Sequence, residues 1–172
     1  MTRRDFIFNA SMLSAGMTLS PMMVRAAGKK VGGVITEDSD MVMGINSRKQ
    51  MAVAEAVMRE RILDKLMDSG VTIMDPASTF IEASVKIGRD TIIYPYTWLE
   101  GSTVIGEDCE IGPNCRFTDV EIGNGCNLHF VYGHECKVMN NVTVGPYVHL
   151  RPNTVISDNV KIGNFVEVKN SN

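Results

Sequence analysis

The chain has 172 residues, 44% of them hydrophobic, and a net charge of −3. That length carries one domain plus an appendage, and the near-neutral balance argues against a nucleic-acid partner. The 4 cysteines contain no CxxC pair, so they form no metal-binding pattern; the 6% aromatic content suits a narrow core filled by Ile, Val and Leu.

Residues 1–27 read as a candidate export signal. Thr2-Arg3-Arg4-Asp5-Phe6-Ile7 resembles a twin-arginine signal, a receptor-read address. A weakly polar run from Phe6 to Leu19 follows, and Val24-Arg25-Ala26 offers small residues where a signal peptidase needs them. The run is too short and too rich in Ser and Gly for a membrane span. The alternative is an amphipathic stretch that merely carries Arg3-Arg4. Over residues 28–46, Val31-Gly32-Gly33-Val34-Ile35 reads as a strand, followed by the acidic turn Thr36-Glu37-Asp38-Ser39-Asp40. Residues 47–75 read as a linker helix and a short strand. Asn46 or Ser47 can cap the helix, and Ala54, Met58, Ile62 and Leu66 form an apolar line with Val57 and Leu63 beside it. Gly70 stands just past the last turn. Val71-Thr72-Ile73-Met74 is the strand, and Asp75-Pro76 turns into the remaining segment, residues 76–172.

That last segment carries a six-residue repeat. Ile87, Ile93, Leu99, Ile105, Ile111 and Phe117 keep the period, as do Val144, Leu150, Ile156, Ile162 and Val168. A strand alone would repeat every second residue and a helix every 3.6; a fixed longer period marks a solenoid. Six residues suit a parallel β-helix, with one short strand and one corner per unit and three units per coil. Gly often follows the aliphatic residue, which fits a tight corner or a positive φ. The phase slips twice between Ile111 and Val144, so residues 117–143 are expected to hold a corner deletion or a loop. Cys109, Cys115 and Cys126 each lie four residues after a unit-opening Ile, a small inward position, and read as core. Cys109 and Cys126 are 17 apart, which stacks them on adjacent coils and permits a disulfide in an oxidising compartment.

The run GKKVGGVITEDSDMVMGINSRKQMAVAEAVMRERILDKLMDSGVTIMDPAS resembles the junction region of the bifunctional N-acetylglucosamine-1-phosphate uridyltransferase and glucosamine-1-phosphate N-acetyltransferase. VGPYVHLRPNTVISDNVKIGNFVEVKNS resembles the acetyltransferase solenoid of the same family. The resemblance covers Gly28 to the end, as a middle portion of that enzyme. It implies a left-handed β-helix that assembles as a homotrimer, and a cytoplasmic role in making UDP-N-acetylglucosamine, a peptidoglycan precursor. The reactions implied are acetyl transfer from acetyl-CoA to glucosamine-1-phosphate, then uridylyl transfer from UTP with Mg²⁺. By the same resemblance, Asn46 helps hold Mg²⁺ and the sugar nucleotide, while Arg151 and Lys169 hold the phosphate of a UDP-sugar or sugar phosphate. The alternative for Asn46 is a plain helix cap.

The spacing of the last pair agrees. Arg151 and Lys169 are 18 residues apart, one full coil, hence stacked about 4.8 Å apart. Two cations at that range repel by about 0.9 kcal/mol in water. An anion between them removes the repulsion and adds charge-assisted hydrogen bonds of about 1.5–3 kcal/mol each. The alternative is a solvated pair neutralised by Glu167.

The resemblance has gaps. The nucleotide loop and metal-binding Asp of the uridyltransferase are absent, and the family's catalytic His maps beyond Asn172, so the chain by itself is expected to catalyse neither reaction. A rival of another kind is a non-catalytic trimerising β-helix that binds sugar nucleotide weakly or not at all. Another is a zinc site of the trimeric carbonic anhydrase type, on His129, His134 and His149. The regular coils upstream hold no His and no metal-site acid or base is evident, which counts against it. The family role also conflicts with export, since UTP and acetyl-CoA are cytoplasmic; a periplasmic location is the alternative that the twin-arginine motif raises.

Overall fold

The computed structural model describes residues 43–171. The candidate signal of residues 1–27 lies outside the described residues, as does the stretch from 28 to 42. The chain divides into two compact units, Met1–Val57 and Met58–Asn172. In the first, the helix α1 (Arg48–Asp68) begins. Ser47, rather than Asn46, supplies the cap: its Oγ accepts from the Gln50 backbone N–H at 3.2 Å. Gln50 Oε1 reaches back to the Asn46 N–H at 2.8 Å, an exchange close to a capping box.

In the second unit α1 ends in a Schellman turn. Gly70, at φ +100°, donates to the Met67 carbonyl and Val71 to the Leu66 carbonyl. Leu63 is the buried anchor of this half, with Ile62, Leu66 and Met67 packed against the core, while Met58 stays half exposed. Asp75 then caps a single 3-10 turn, Pro76–Ser78, accepting from Ala77 N–H.

The rest is mainly β, a left-handed parallel β-helix of about five turns. Its strands fall on three faces. The first holds β1 (Thr72–Ile73), β4 (Ile92–Ile93), β7 (Glu110–Ile111), β10 (Asn127–Leu128), β13 (Thr143–Val144) and β16 (Lys161–Ile162). The second holds β2 (Phe80–Ile81), β5 (Trp98–Glu100), β8 (Arg116–Thr118), β11 (Val131–His134), β14 (Val148–Leu150) and β17 (Val166–Val168). The third holds β3 (Lys86–Ile87), β6 (Val104–Ile105), β9 (Glu121–Ile122), β12 (Lys137–Val138) and β15 (Val155–Ile156). Every pairing is parallel and joins a strand to its counterpart on the next coil, so the aliphatic positions of the repeat stack inward as continuous columns.

The small positions between them are buried too. Thr91, Thr97 and Thr103 have no exposed surface, and each hydroxyl donates to a backbone carbonyl, at 2.8, 2.8 and 2.7 Å. No buried side-chain polar atom among the described residues lacks a partner, as a core this narrow requires. Cys109, Cys115, Cys126 and Cys136 are buried free thiols. Cys109 and Cys126 do stack on adjacent coils, with the Cys126 N–H donating to Cys109 Sγ at 3.4 Å. Burial pushes the Cys115 and Cys136 thiols up to about 11.

The corner glycines after Ile111 and Val144 take the expected positive φ, Gly112 at +100° and Gly145 at +119°, but others do not. Gly106 and Gly123 do not take a positive φ. They are glycine because a Cβ on Gly106 would stand 2.7 Å from the Gly123 carbonyl, and one on Gly123 would stand 2.9 Å from that of Met139. The left-handed residues lie two places further on and form three columns. One is Asp90, Asp108, Asn141 and Asn159 with Gly125; another is Asp119, Glu135, Asn153 and Asn170 with Gly101. Asn and Asp tolerate this region best. The third column is Tyr96, Asn114, Phe130, Tyr147 and Phe165, where bulky rings accept a sparsely populated conformation.

No loop leaves the coil over residues 117–143. Stacked partners on the third face lie 18, 17, 16 and 18 residues apart, so the phase slips are corner deletions that keep the strands in register. Gly133 takes an inward position there, opposite Phe117 of the coil before. A Cβ on Gly133 would stand 2.8 Å from Phe117 Cδ1, so the large ring and the missing side chain share one volume.

Gly133→Ala is expected to cost about 1–3 kcal/mol by overpacking, and Phe117→Leu to cost a smaller amount by leaving a gap. The double variant should recover most of the Gly133→Ala loss, as a denaturant double-mutant cycle would read; strict additivity would refute the shared volume. A thiol reagent should label all four cysteines in denaturant and leave the native protein almost unlabelled.

Candidate functional site

The second face carries the chemistry. Its outward column runs, in register, through Phe80, Trp98, Arg116, Tyr132, His149 and Glu167. Parallel in-register stacking sets these neighbours one strand spacing apart, so side chains of successive coils touch. Phe80 and Trp98 stack with centroids 4.0 Å apart. Arg59 of α1 covers the Phe80 ring at 4.7 Å, and Arg116 lies over Trp98 at 5.9 Å. Tyr132 meets His149 edge-on at 5.0 Å.

The aromatic corner column flanks this face. Phe130 and Tyr147 lie 5.2 Å apart, as do Tyr147 and Phe165, the latter pair stacked. Tyr96, Tyr147 and Phe165 are 61%, 56% and 76% exposed. Between corner and face lies a shallow open depression of about 710 Å³, whose rim includes Tyr96, Trp98, Arg116, Tyr132, Phe165 and Glu167.

Two carboxylates are held in the outer ladder. Glu100 accepts from Arg116 Nε at 2.9 Å, Arg116 Nη2 at 3.0 Å and Thr118 Oγ1 at 2.9 Å. The Arg116 hydrogen bonds hold its carboxyl below the usual 4.5, against the opposing effect of partial burial. Glu167 accepts from Arg151 Nη1 at 2.8 Å, with His149 Nδ1 3.9 Å away. The Arg151 hydrogen bond lowers its pKa, aided by the charges of Arg151, His149 and Lys169.

The backbone sets Arg151 and Lys169 on adjacent coils at the end of the second face. The Arg151 N–H donates to the Val168 carbonyl at 2.9 Å, which sets it over the strand that leads into Lys169. The Arg151 guanidinium is engaged by Glu167. Asn46 is exposed at the start of α1, away in sequence from that pair. The three imidazoles do not gather: His149 faces Glu167, and His134 Nε2 lies 3.6 Å from Glu135 Oε1. The single grouping of three potential ligand side chains among the described residues is Asp119, His134 and Glu135. The spacing of the repeat gave no sign of that trio, because it depends on the shortened corner after Phe117. Glu100, Arg116 and the aromatic corner column were also missed; outward positions carry no periodic signal.

Comparison with known proteins agrees with this architecture. The bacterial transferase hexapeptide family (six repeats) matches residues 102–130 and 135–170. The chain is 49% identical over 149 residues to the bifunctional protein GlmU of Geobacillus sp. strain WCH70, covering 87% of this chain and 32% of that protein. It is 55% identical over 134 residues to the GlmU of Caldanaerobacter subterraneus, covering 78% and 29%. Against the GlmU of Clostridioides difficile it is 47% identical over 155 residues, covering 90% and 34%. The chain thus spans about a third of the length of these relatives. Among solved structures, a serine acetyltransferase from Entamoeba histolytica in complex with cysteine aligns over 76% of this chain and 46% of its own, at 22% identity and TM-score 0.34. That likeness is too loose to carry a functional argument.

Glu100 has a lowered folded-state pKa, so its contribution to stability is present above its ordinary value and disappears as pH falls through the lowered one. Glu100→Gln should therefore lower the melting temperature at pH 7, and the gap from the parent should close in acid below pH 4.5. A gap of the same size at pH 7 and pH 2 would show that the charge of Glu100 is not what stabilises the fold.

Proposed function

This chain is a hexapeptide-repeat relative of the bifunctional protein GlmU, and on that premise we propose that it serves UDP-N-acetylglucosamine synthesis by binding a sugar phosphate or UDP-sugar at Arg151 and Lys169. The observation that supports this reading is the pair of cations one coil apart at the end of the second face. Arg151 presents a planar fork suited to phosphate, and Lys169 a point charge. Glu167 occupies Arg151 until an anion competes, which keeps the guanidinium oriented between binding events. For the whole enzyme, the reactions are acetyl transfer from acetyl-CoA to glucosamine-1-phosphate and uridylyl transfer from UTP. The chain's own share is to anchor phosphate. Such an enzyme works in the cytoplasm, where both UTP and acetyl-CoA are found.

For Mg²⁺ the described residues supply little. Asn46 is exposed and its N–H is bonded to Gln50. Among the described residues, the one grouping of three ligand side chains is Asp119, His134 and Glu135, far from Asn46 in sequence.

A second reading, the non-catalytic trimerising β-helix, draws support from the aromatic corner. Tyr96, Tyr147 and Phe165 expose more than half their surface, and a homotrimer packed on that column would cover them. No described helix is long and apolar enough to cross a membrane.

Calorimetric titration with glucosamine-1-phosphate and with UDP-N-acetylglucosamine tests the binding claim. Arg151→Ala and Lys169→Ala should each weaken binding roughly 10- to 100-fold, the loss of one or two charge-assisted hydrogen bonds. Binding that is absent in the parent, or indifferent to both substitutions, would leave only the structural reading.

A further inference from the structure

We propose that Asp119, His134 and Glu135 form a binding site for a divalent first-row transition-metal ion on the outer corner of the β-helix. One donor atom from each of the three lies within 4.8 Å of the other two, close enough for small rotations of these corner side chains to bring all three onto one ion. The convergence comes from the shortened coils. His134 pairs in register with Thr118, so Asp119 and Glu135, the residues that follow, stand at the same corner of adjacent coils. Successive side chains of a strand point to opposite faces. Here Glu135 takes φ 46°, which breaks that alternation and brings its carboxylate to 3.6 Å from the imidazole of the residue before it.

The corner is also prearranged. The Glu135 N–H donates to the Thr118 carbonyl at 3.0 Å, and the Asn153 N–H to the Glu135 carbonyl at 3.0 Å, so its backbone is pinned from both sides. Asp119 Oδ1 accepts from the Ser102 N–H and the Ser102 hydroxyl, each at 2.8 Å, which leaves Oδ2 for a cation. Residue 101 is glycine, and a Cβ there would run into the same Asp119 carboxylate. Ser102 thus acts as the outer-shell partner that orients a metal-binding carboxylate.

The donor set selects the ion. One imidazole and two carboxylates suit Zn²⁺, Co²⁺ or Ni²⁺ better than Ca²⁺ or Mg²⁺, which take mainly oxygen ligands in larger number or stricter geometry. Three protein ligands leave positions for water. The side chains of His134 and Glu135 are 37% and 57% exposed, so an ion enters freely from solvent. Without a cation, two carboxylates converge on one corner; the dication relieves that repulsion.

The test is titration of tag-free protein with Co²⁺, read by calorimetry and by paramagnetic broadening of the His134 ring signals in NMR. One equivalent should bind saturably and broaden His134 before His129 or His149. His134→Gln, Asp119→Asn and Glu135→Gln should each weaken binding at least about 10-fold, with circular dichroism unchanged, while His149→Gln leaves it intact. Should His134→Gln fail to fold, the near-isosteric Glu135→Gln decides alone. Absence of saturable binding, equal affinity in the parent and these variants, or a thiolate-to-cobalt absorption band placing the ion on cysteine would each overturn the site.

Discussion

The structure depends on the stacking of inward side chains between coils that repeat one strand spacing apart. A β-helix this narrow has no second layer to bury its aliphatic residues against, so each inward Ile, Leu or Val packs on its counterparts in the coils before and after. Ile87, Ile105, Ile122, Val138 and Ile156 form one such column, joined by the backbone ladder of the third face. Burial and hydrogen bonding are therefore coupled at every coil. A strand that loses register loses its apolar column at the same moment.

That coupling explains how the coil absorbs irregularity. Coils of 16 and 17 residues shorten the corners and leave the strands alone, because a corner residue contributes little to the columns while a strand residue contributes both core and ladder. Where the interior does change, it changes in matched pairs, as Phe117 and Gly133 do. The buried threonines follow the same logic. Their hydroxyls bond to the carbonyls that the bend of the chain turns toward them, so polar atoms at the corners cost the core little.

In-register stacking also organises the outer surface. Residues alike in position on successive coils become neighbours whatever their distance in sequence. The second face accordingly gathers an aromatic and charged ladder from Arg59 to Glu167, and two of its carboxylates, Glu100 and Glu167, are each drawn down in pKa by an arginine beside them. The Arg151–Glu167–Lys169 group at one end and the Asp119–His134–Glu135 group on the corner are products of the same geometry. Short corners bring unlike residues together as readily as full ones bring like residues together.

The repeat was legible in the sequence because the core is periodic. A residue that must point inward every sixth position has to be aliphatic, and Ile87 through Phe117 and Val144 through Val168 declare this without any neighbour in view. The glycine end of α1 and the inward cysteines were legible for the same local reasons, and the 18-residue spacing of Arg151 and Lys169 told of their stacking. Other features were decided only in three dimensions. Gly106 and Gly123 are required by the backbone of the next coil, not by their own φ, and one chain segment does not reveal what stacks on it. The path through residues 117–143, the aromatic corner column and the Asp119–His134–Glu135 convergence depend on which corner was shortened. Outward residues obey no packing rule, so their neighbours follow from coil length alone.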